Sequence, residues 1–539
     1  MRLSVTFLVF LSSIAITYAA PPSTTVDLGY AKYQGNLNSA TGNLEFLGMR
    51  YAGAPTGTFR WRAPQLPQAT PGTQQANAFP NRCWEAGQGN QPVAPFPLRS
   101  GSRQQKRAVP DFSEDCLFLN VVTPASGEKN LPVVVWIHGG GYMAGSASGF
   151  SGTDVFDGND LVRQAGGGVV AVIIQYRLGV FGFLAGQKVH DGGALNAGLL
   201  DQQFALQWVQ RHIGKFNGDP RKVTIWGESA GAGSVLQQLV ANGGHTTPPL
   251  FRAAITSSTF LPSQYAFNDR VPEQLFSEVV QIAGCSSVVD TLACLREADV
   301  NALQQANTDV GNSGFFGTFI FVPVVDGHLI TERPTQLIRQ GKVNGQAFLS
   351  MTNTFEGALF VNLSTAATVR TPPYLANLFP DFRDADVIAG TAQYANRGAP
   401  IDQAVAIMGE SIFICPTYFL LRAFGGKGFK GEFAIPPGGH GQDVAFYFPS
   451  TGAPSFNNTV FINNFAQSFL NFAMSLDPNV KWDPTNTVPQ WARWNEQGKN
   501  EMLFNKTDAG ATVFHSVTTS TALLERCDFW ESVSAFSVQ

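Results

Sequence analysis

The chain has 539 residues, of which 44% are hydrophobic and only 14% are charged. A disordered chain and a charged coiled-coil scaffold are excluded, because both are rich in charge and this chain also carries 43 Phe. The formal net charge is -4 and the basic residues are not concentrated in the sequence, so we expect no nucleic-acid partner.

The N-terminus predicts a secretory signal peptide at residues 1–19. Arg2 provides a short basic region, residues 3–16 form an apolar stretch, and the small residues around Ala19 offer a cleavage site. The alternative is a buried N-terminal helix, which Pro21 and Pro22 would end. No later run approaches the ~18 apolar residues of a membrane span. We therefore expect a secreted, extracellular protein without an integral membrane anchor.

Alternating strands and helices are predicted in the first half of the chain. Two unbroken apolar runs, PVVVWI at 132–137 and VVAVIIQY at 169–176, are typical of strands buried on both faces of a parallel sheet. Residues 199–213 carry two apolar stripes, which predicts a deeply buried helix. A further strand, KVTIW, follows at 222–226. This order indicates a doubly wound α/β domain.

The second half is less regular, and the pattern becomes helix-rich after residue 245. No repeat or long linker divides the chain, so we expect one domain over residues 20–539. The six cysteines of a secreted chain suggest three disulfides, but their spacing leaves the pairing open. No CxxC pair occurs, so we expect no metal site. The sequons predict surface loops with candidate glycosylation sites, at Asn362, Asn457 and Asn505.

The motif Gly227-Glu228-Ser229-Ala230-Gly231 matches GxSxG, the sequence of a nucleophile turn. Taken alone the motif is weak, and a glycine turn with an uninvolved serine is the alternative. Here it follows a predicted strand and opens a predicted helix over 230–240, as a nucleophile turn requires. Ser229 is therefore the candidate nucleophile.

A glycine run, HGGG at 138–141, ends the earlier strand at Ile137. Acyl transfer passes through an oxyanion that needs preorganised N–H donors, and glycines let the backbone approach a substrate closely. In this layout the donors come from the glycine loop and from the residue after the nucleophile. The candidate oxyanion hole is Gly140, Gly141 and Ala230.

These motifs resemble the type-B carboxylesterase/lipase family, the cholinesterase-like branch of the α/β-hydrolases. The matching segments are FLGMRYA at 46–52, Arg60-Trp61, SEDCLFLNV at 113–121, YRLG at 176–179, Gly182-Phe183 and the stretch 196–235. Gln175 stands where the family usually has Asn. The resemblance implies an α/β-hydrolase fold, with a mostly parallel central sheet, helices on both faces and large helical insertions after the nucleophile. It also implies a carboxylic ester hydrolase that acts on small-molecule or lipid esters and needs no cofactor.

The triad order in this fold is Ser, then Asp or Glu, then His, which excludes the three histidines before Ser229. His245 lies too close to Ser229 for an acid-bearing strand between them and His328 lies in a predicted turn, which leaves His440 and His515. The family's His-Gly pattern, followed by an acid and an apolar run, matches His440. Its acid motif matches NTFEG at 353–357 and selects Glu356, which spacing alone would not do. Ser229 would then attack, His440 would accept its proton, and Glu356 would orient the imidazole. Glu228 is interpreted as a structural acid rather than a second base.

The resemblance also suggests the disulfides Cys83–Cys116, Cys285–Cys294 and Cys415–Cys527, the first of which would close a lid-like loop. The window 98–109 in that loop is basic with few apolar residues, which favours an esterase over an interfacially activated lipase. It also contains Lys106-Arg107, a dibasic pair that proteases could cut, although an ordinary basic patch is the simpler interpretation.

Three alternatives remain beside the serine esterase. An adhesion protein of the same fold would lack the nucleophile, whereas Ser229 is present here. A peptidase could use the same triad. A cholinesterase needs an aromatic cage for its cation, and Trp84 is the only tryptophan between Cys83 and Cys116. The acyl and alcohol specificity and the oligomeric state stay open.

Overall fold

A computed structural model describes residues 24–94, 112–150, 156–450 and 452–539. The predicted signal peptide at 1–19, the lid window 98–109 and the pair Lys106-Arg107 lie outside the described residues.

The strands form a small sheet and a large one. They are Thr25–Asp27 (β1), Lys32–Gln34 (β2), Asn36–Leu37 (β3), Asn43–Arg50 (β4), Thr73–Gln75 (β5), Phe118–Pro124 (β6), Leu131–Ile137 (β7), Val170–Ile174 (β8), Gly218–Glu228 (β9), Ala253–Ser257 (β10), Ala347–Asn353 (β11), Gly428–Phe433 (β12), Asn500–Lys506 (β13) and Thr512–Thr518 (β14).

The α-helices alternate with these strands. They are Gly158–Gln164 (α1), Gly179–Phe183 (α2), Gln187–Gly192 (α3), Ala197–His212 (α4), Ala230–Gly244 (α5), Arg270–Ile282 (α6), Thr291–Glu297 (α7), Val300–Asn312 (α8), Pro334–Arg339 (α9), Thr371–Leu378 (α10), Asp384–Tyr394 (α11), Pro400–Gly409 (α12), Cys415–Ala423 (α13), Val444–Tyr447 (α14), Thr459–Ser475 (α15), Thr521–Ser532 (α16) and Ser534–Ser537 (α17). A π-helix, Glu410–Ile414, joins α12 to α13.

The large sheet is mostly parallel, as predicted. Its order is β14-β13-β12-β11-β10-β9-β7-β8-β6-β4-β3. The central strands β13, β12, β11, β10, β9, β7 and β8 run parallel to one another. Strand β14 pairs antiparallel at one edge, and β6, β4 and β3 pair antiparallel at the other. The strands predicted at 132–137, 169–176 and 222–226 correspond to β7, β8 and β9. Parallel strands end at the same edge of a sheet, and that edge carries the candidate site.

Helices cover both faces of this sheet, because the central strands are apolar on both sides. In β7 the side chains of Val133 and Val135 pack into one core cluster, and those of Val134 and Trp136 into a second on the opposite face. Helices α4 and α5 pack on the first face, whereas α1 and α15 pack on the second. The buried helix predicted at 199–213 corresponds to α4 and the short 3-10 turn after it. The α/β-hydrolase architecture is confirmed.

All three suggested disulfides are present: Cys83–Cys116, Cys285–Cys294 and Cys415–Cys527. The third joins α13 to α16 and ties the C-terminal helices to the large helical region after β11.

Two expectations need correction. The continuous helix Pro400–Ala423 is long and apolar enough to cross a membrane, which we had not expected of any segment after the N-terminus, but 83% of its apolar window is buried inside the protein. It is apolar because it packs in the core. Asn505 lies on strand β13 and is half-buried, not in a surface loop, whereas Asn457 is exposed and Asn362 precedes a 3-10 turn.

Candidate active site

Ser229 occupies a sharp turn between β9 and α5. Its backbone has φ 56° and ψ -125°, a strained conformation for a residue with a side chain. The turn is this tight because a Cβ atom at Gly231 would collide with the carbonyl of Ile137, and one at Gly227 would collide with Gly231. The N–H of Ser229 donates to the carbonyl of Ser257 at 2.9 Å. The strand, turn and helix therefore place Ser229 at the carboxyl edge of the sheet, where the residue is buried.

The glycine loop after β7 runs beside Ser229. An added Cβ at Gly139 would lie 3.0 Å from the Cβ of Ser229, so the two backbones approach closely. Gly140 and Gly141 have φ values of 101° and 63°, which glycine adopts without strain. His138 is buried, and its Nδ1 lies 2.9 Å from the carbonyl of Gly139. Burial lowers the pKa of His138 to about 4, so this imidazole is neutral.

Glu356 and His440 meet across the same edge. Glu356 lies three residues after the end of β11, and His440 lies in the loop after β12. The Nδ1 atom of His440 is 2.6 Å from Oε2 of Glu356. The other carboxylate oxygen of Glu356 accepts hydrogen bonds from the N–H of Asn353 at 2.6 Å and from Oγ of Ser258 at 2.8 Å. The carboxylate is thus fixed in position and can hold one tautomer of the imidazole.

The second nitrogen of His440 faces the residue before Ser229. Its Nε2 atom lies 3.3 Å from Oε1 of Glu228, and among the described residues no group hydrogen-bonds to it. His440 is buried between the rings of Phe360 and Phe413, whose centroids lie 4.9 and 4.5 Å away. His515, the other candidate base from the sequence, is exposed on β14 opposite Leu503.

Three buried carboxyl groups surround the imidazole and control its charge. Burial alone would lower the pKa of His440, but Glu228, the hydrogen bond to Glu356 and the nearby Asp443 together raise it above 6.5. Burial raises the pKa of Glu228 to about 8, and the charges of Asp443 and Glu356 add to this effect while His440 opposes it. Perturbed groups of this kind are typical of catalytic sites.

The sequence profile of the Carboxylesterase family matches residues 22–530. The chain belongs to the carboxylesterase family. It is 32% identical to "Lipase 4" of Diutina rugosa, over 92% of this chain and 94% of that one. It is 29% identical to "Carboxylesterase patB" of Penicillium expansum, over 96% and 97% of the two chains. It is also 32% identical to a "Secreted lipase" of Arthroderma benhamiae, over 82% and 86%.

Among solved structures, the crystal structure of Aspergillus niger EstA superposes with a TM-score of 0.81 at 30% identity, over 96% of this chain and 99% of that one. The type-B carboxylesterase/lipase resemblance is confirmed. These relatives indicate that this chain is a carboxylic ester hydrolase.

An apolar pocket opens beside the candidate site of this carboxylesterase-family chain. Its volume is about 110 Å³, and aromatic residues line the part near the site: Phe260, Phe319, Phe360 and Phe413. The rings of Phe360 and Phe413 contact His440, and that of Phe319 lies against the backbone of Gly141. The pocket therefore starts at the candidate catalytic groups.

The sequence alone predicts neither this pocket nor the contact between Glu228 and His440. The pocket residues come from the irregular part of the chain, where single apolar residues carry no signal of their own. Among the described residues, no group of three or more His, Cys, Asp or Glu side chains could hold a metal ion.

Proposed function

We propose that this chain is a secreted serine esterase that hydrolyses carboxylic esters through Ser229, His440, Glu356 and an acyl-enzyme intermediate. The observation that carries the proposal is the 2.6 Å contact between His440 and Glu356, which leaves the other imidazole nitrogen directed toward the strained turn at Ser229.

The acylation step follows from this arrangement. Oγ of Ser229 attacks the ester carbonyl while neutral Nε2 of His440 accepts its proton. Glu356 holds the proton of Nδ1 and stabilises the imidazolium that forms. The imidazolium then gives its proton to the oxygen of the leaving alcohol, and the acyl group stays on Ser229. Water repeats the sequence, releases the carboxylic acid and restores the serine.

The oxyanion formed in both steps needs N–H donors. We assign the N–H groups of Gly140, Gly141 and Ala230, because the glycine loop runs beside Ser229 and Ala230 opens α5. A donor of this kind lowers the barrier by about 3 kcal/mol. A side chain at Gly141 would collide with Phe319, so the loop could not keep this path with another residue.

The pocket supports a substrate with an apolar acyl group. Its aromatic lining excludes water from the acyl chain of the substrate. Burial of each CH₂ group of that acyl chain contributes about 0.8 kcal/mol to binding. We further propose that residues 1–19 are removed on secretion and that residues 20–539 form a single domain with a lid-like loop at 83–116. The relative named a secreted lipase supports the extracellular location.

A lipase is the second candidate function, and one surface feature favours it. Phe355, Leu359 and Leu363 follow one another near Glu356 and are each more than half exposed. An exposed apolar group beside the site could contact a lipid surface. The sequence of the lid window favours the esterase, because it is basic and contains few apolar residues.

Turnover of p-nitrophenyl butyrate tests the proposed function. We expect the wild type to hydrolyse this ester and Ser229→Ala to lose the activity while keeping its unfolding temperature. Ser277→Ala is a matched control, because Ser277 is exposed on α6, does not line the pocket, and its hydroxyl donates to the carbonyl of Glu273 in its own helix. Full activity of Ser229→Ala would contradict the proposal.

A further inference from the structure

Two separate segments form one wall of the apolar pocket beside His440. Phe260 and Pro262 follow β10, while Ile412 and Phe413 belong to the π-helix. The rings of Phe260 and Phe413 stack with their centroids 5.4 Å apart, and Phe413 contacts His440. The spacing between the two segments therefore sets the width of the pocket next to the proposed base.

The π-helix leaves one backbone carbonyl in this wall without a helical donor. The N–H of Cys415 donates to the carbonyl of Glu410, five residues earlier. In an α-helix, the N–H of Cys415 would donate to the carbonyl of Ser411 instead. In a π-helix that continued for one more residue, the donor to the carbonyl of Ser411 would be the N–H of residue 416. Residue 416 is proline and has no N–H. The buried carbonyl of Ser411 therefore needs a donor from elsewhere in the protein.

The side chain of Gln539 supplies this donor and connects the two segments. Its Nε2 atom donates to the carbonyl of Ser411 at 2.9 Å and to the carbonyl of Leu261 at 2.7 Å. Its Oε1 atom accepts a hydrogen bond from Oγ of Ser537 at 2.8 Å. Gln539 is 2% exposed, so water does not compete for these bonds. The two hydrogens of the amide therefore donate to two different segments of the pocket wall.

Further hydrogen bonds hold the segment after β10 against the π-helix and against the segment that carries Gln539. The N–H of Leu261 donates to the carbonyl of Ile412 at 2.9 Å, and the N–H of Gln264 donates to the carbonyl of Val538 at 2.7 Å. Oγ of Ser263 donates to the carbonyl of Ser537 at 2.8 Å. The segment that carries Gln539 is thus held behind the pocket wall, and its amide is the group that reaches both sides.

We propose that Gln539 is a positioning residue that sets the width of the pocket and thereby the acyl-chain preference of the enzyme. This inference rests on the proposed function. Without the amide, the carbonyls of Ser411 and Leu261 lose their shared donor and the two segments separate. Phe260 and Phe413 then hold a long acyl chain less well, whereas an acetyl group does not reach far into the pocket.

Gln539→Glu tests this directly, because it replaces the donating amide with an oxygen that repels both carbonyls. Gln210→Glu is the matched control. Nε2 of Gln210 also bridges two backbone carbonyls, those of Pro220 at 2.7 Å and Leu250 at 2.9 Å, but outside the pocket. The two variants therefore carry the same chemical change at an amide that bridges two backbone carbonyls, at a buried position for Gln539 and a half-buried one for Gln210.

The measurement is kcat/KM for p-nitrophenyl acetate and p-nitrophenyl octanoate. We expect Gln539→Glu to lower the octanoate-to-acetate ratio by about fivefold or more, mainly through a higher KM for octanoate, since one lost hydrogen bond has about this effect. Gln210→Glu should leave the ratio unchanged. The same ratio in both variants would overturn the inference, whatever their unfolding temperatures.

A second variant and a second measurement test the inference if Gln539→Glu does not fold or if the wild type hydrolyses neither ester. Gln539→Met keeps the length of the side chain and removes only its hydrogen bonds, so it replaces Gln539→Glu if that variant does not fold. A wild type that hydrolyses neither ester contradicts the proposed function. Calorimetric binding of octanoate then decides the inference: weaker binding to Gln539→Met than to Gln210→Met supports it, and equal binding overturns it.

Discussion

Nε2 of His440 lies 3.3 Å from Oε1 of Glu228, the residue immediately before Ser229 in the chain. Two acids therefore contact one imidazole, Glu356 at Nδ1 and Glu228 at Nε2. Glu356 has backbone and hydroxyl donors that hold it, whereas Oε1 of Glu228 has no hydrogen-bond donor among the described residues. We therefore propose different roles for the two acids: Glu356 would orient the ring, and the charge of Glu228 would stabilise the imidazolium.

The first prediction concerns the pH dependence of kcat/KM. The reaction needs neutral His440, so activity falls as the pH drops through the pKa of this group, which the surrounding carboxyl groups raise above 6.5. The imidazolium favours the ionised form of Glu228, and the two groups titrate together. Glu228→Gln removes the negative charge that stabilises the imidazolium. We expect the acid limb of the profile to move to lower pH by about half a unit or more.

The control for this profile is Glu278→Gln on α6. Burial also raises the pKa of Glu278, but this group does not contact the imidazole. Its variant should keep the wild-type limb. An acid limb that moves upward in Glu228→Gln, or does not move, would show that Glu228 does not act on His440 through its charge.

The second prediction concerns Glu356→Gln. The amide keeps the size of the side chain but cannot stabilise the imidazolium, and its NH₂ group can favour the wrong tautomer of His440. We expect kcat for p-nitrophenyl butyrate to fall about 1,000-fold or more, with a small change in KM. Steady-state kinetics at pH 8 measures this. A loss of less than about tenfold would mean that another acid orients the imidazole.

The third prediction concerns the disulfides. Cys415–Cys527 closes a loop with a sequence separation of 112, and Cys285–Cys294 one with a separation of 9. In the chain-entropy model, removing them costs about 5 and about 3 kcal/mol. We expect the double variant Cys415→Ala/Cys527→Ala to unfold at a lower temperature than Cys285→Ala/Cys294→Ala. Equal unfolding temperatures in calorimetry would contradict the entropic account.

The fourth prediction separates the esterase from the lipase. An esterase acts on dissolved substrate, so the rate with tributyrin should saturate smoothly and show no step at the solubility limit. Leu359→Ser/Leu363→Ser should leave this curve unchanged. A sharp rise in rate above the limit, lost in the double variant, would establish the lipase and assign the exposed apolar residues to the lipid contact.

The parts of the fold that the sequence predicts are those with a local signal. Residues 132–137 form a buried strand because an unbroken β-branched run fits between two layers of helices. The GxSxG motif predicts the turn at Ser229, since a Cβ atom at Gly227 would collide with Gly231 in the same turn, and one at Gly231 would collide with the carbonyl of Ile137 at the end of β7. The resemblance to a family added Glu356 and His440, which no local pattern distinguishes from other loop residues.

The remaining features depend on contacts between distant parts of the chain. Glu228 meets His440 only because β9 and β12 end at the same edge of the sheet. Phe260 and Phe413 meet through the π-helix, and Gln539 connects them from the far end of the sequence. None of these residues has a periodicity or motif of its own. Asn505 does carry a local motif, the sequon, which predicted a surface loop. That prediction was wrong because a sequon does not determine whether its residues lie on a half-buried strand.

The most direct test of the account is mass mapping of the protein after reaction with a fluorophosphonate. This reagent forms a stable bond to a serine only where a base and an oxyanion hole activate it. We predict one label per chain, on the peptide that contains Ser229, and complete loss of p-nitrophenyl butyrate turnover with labelling. Stoichiometric label on another serine, or full activity after labelling of Ser229, would contradict the account.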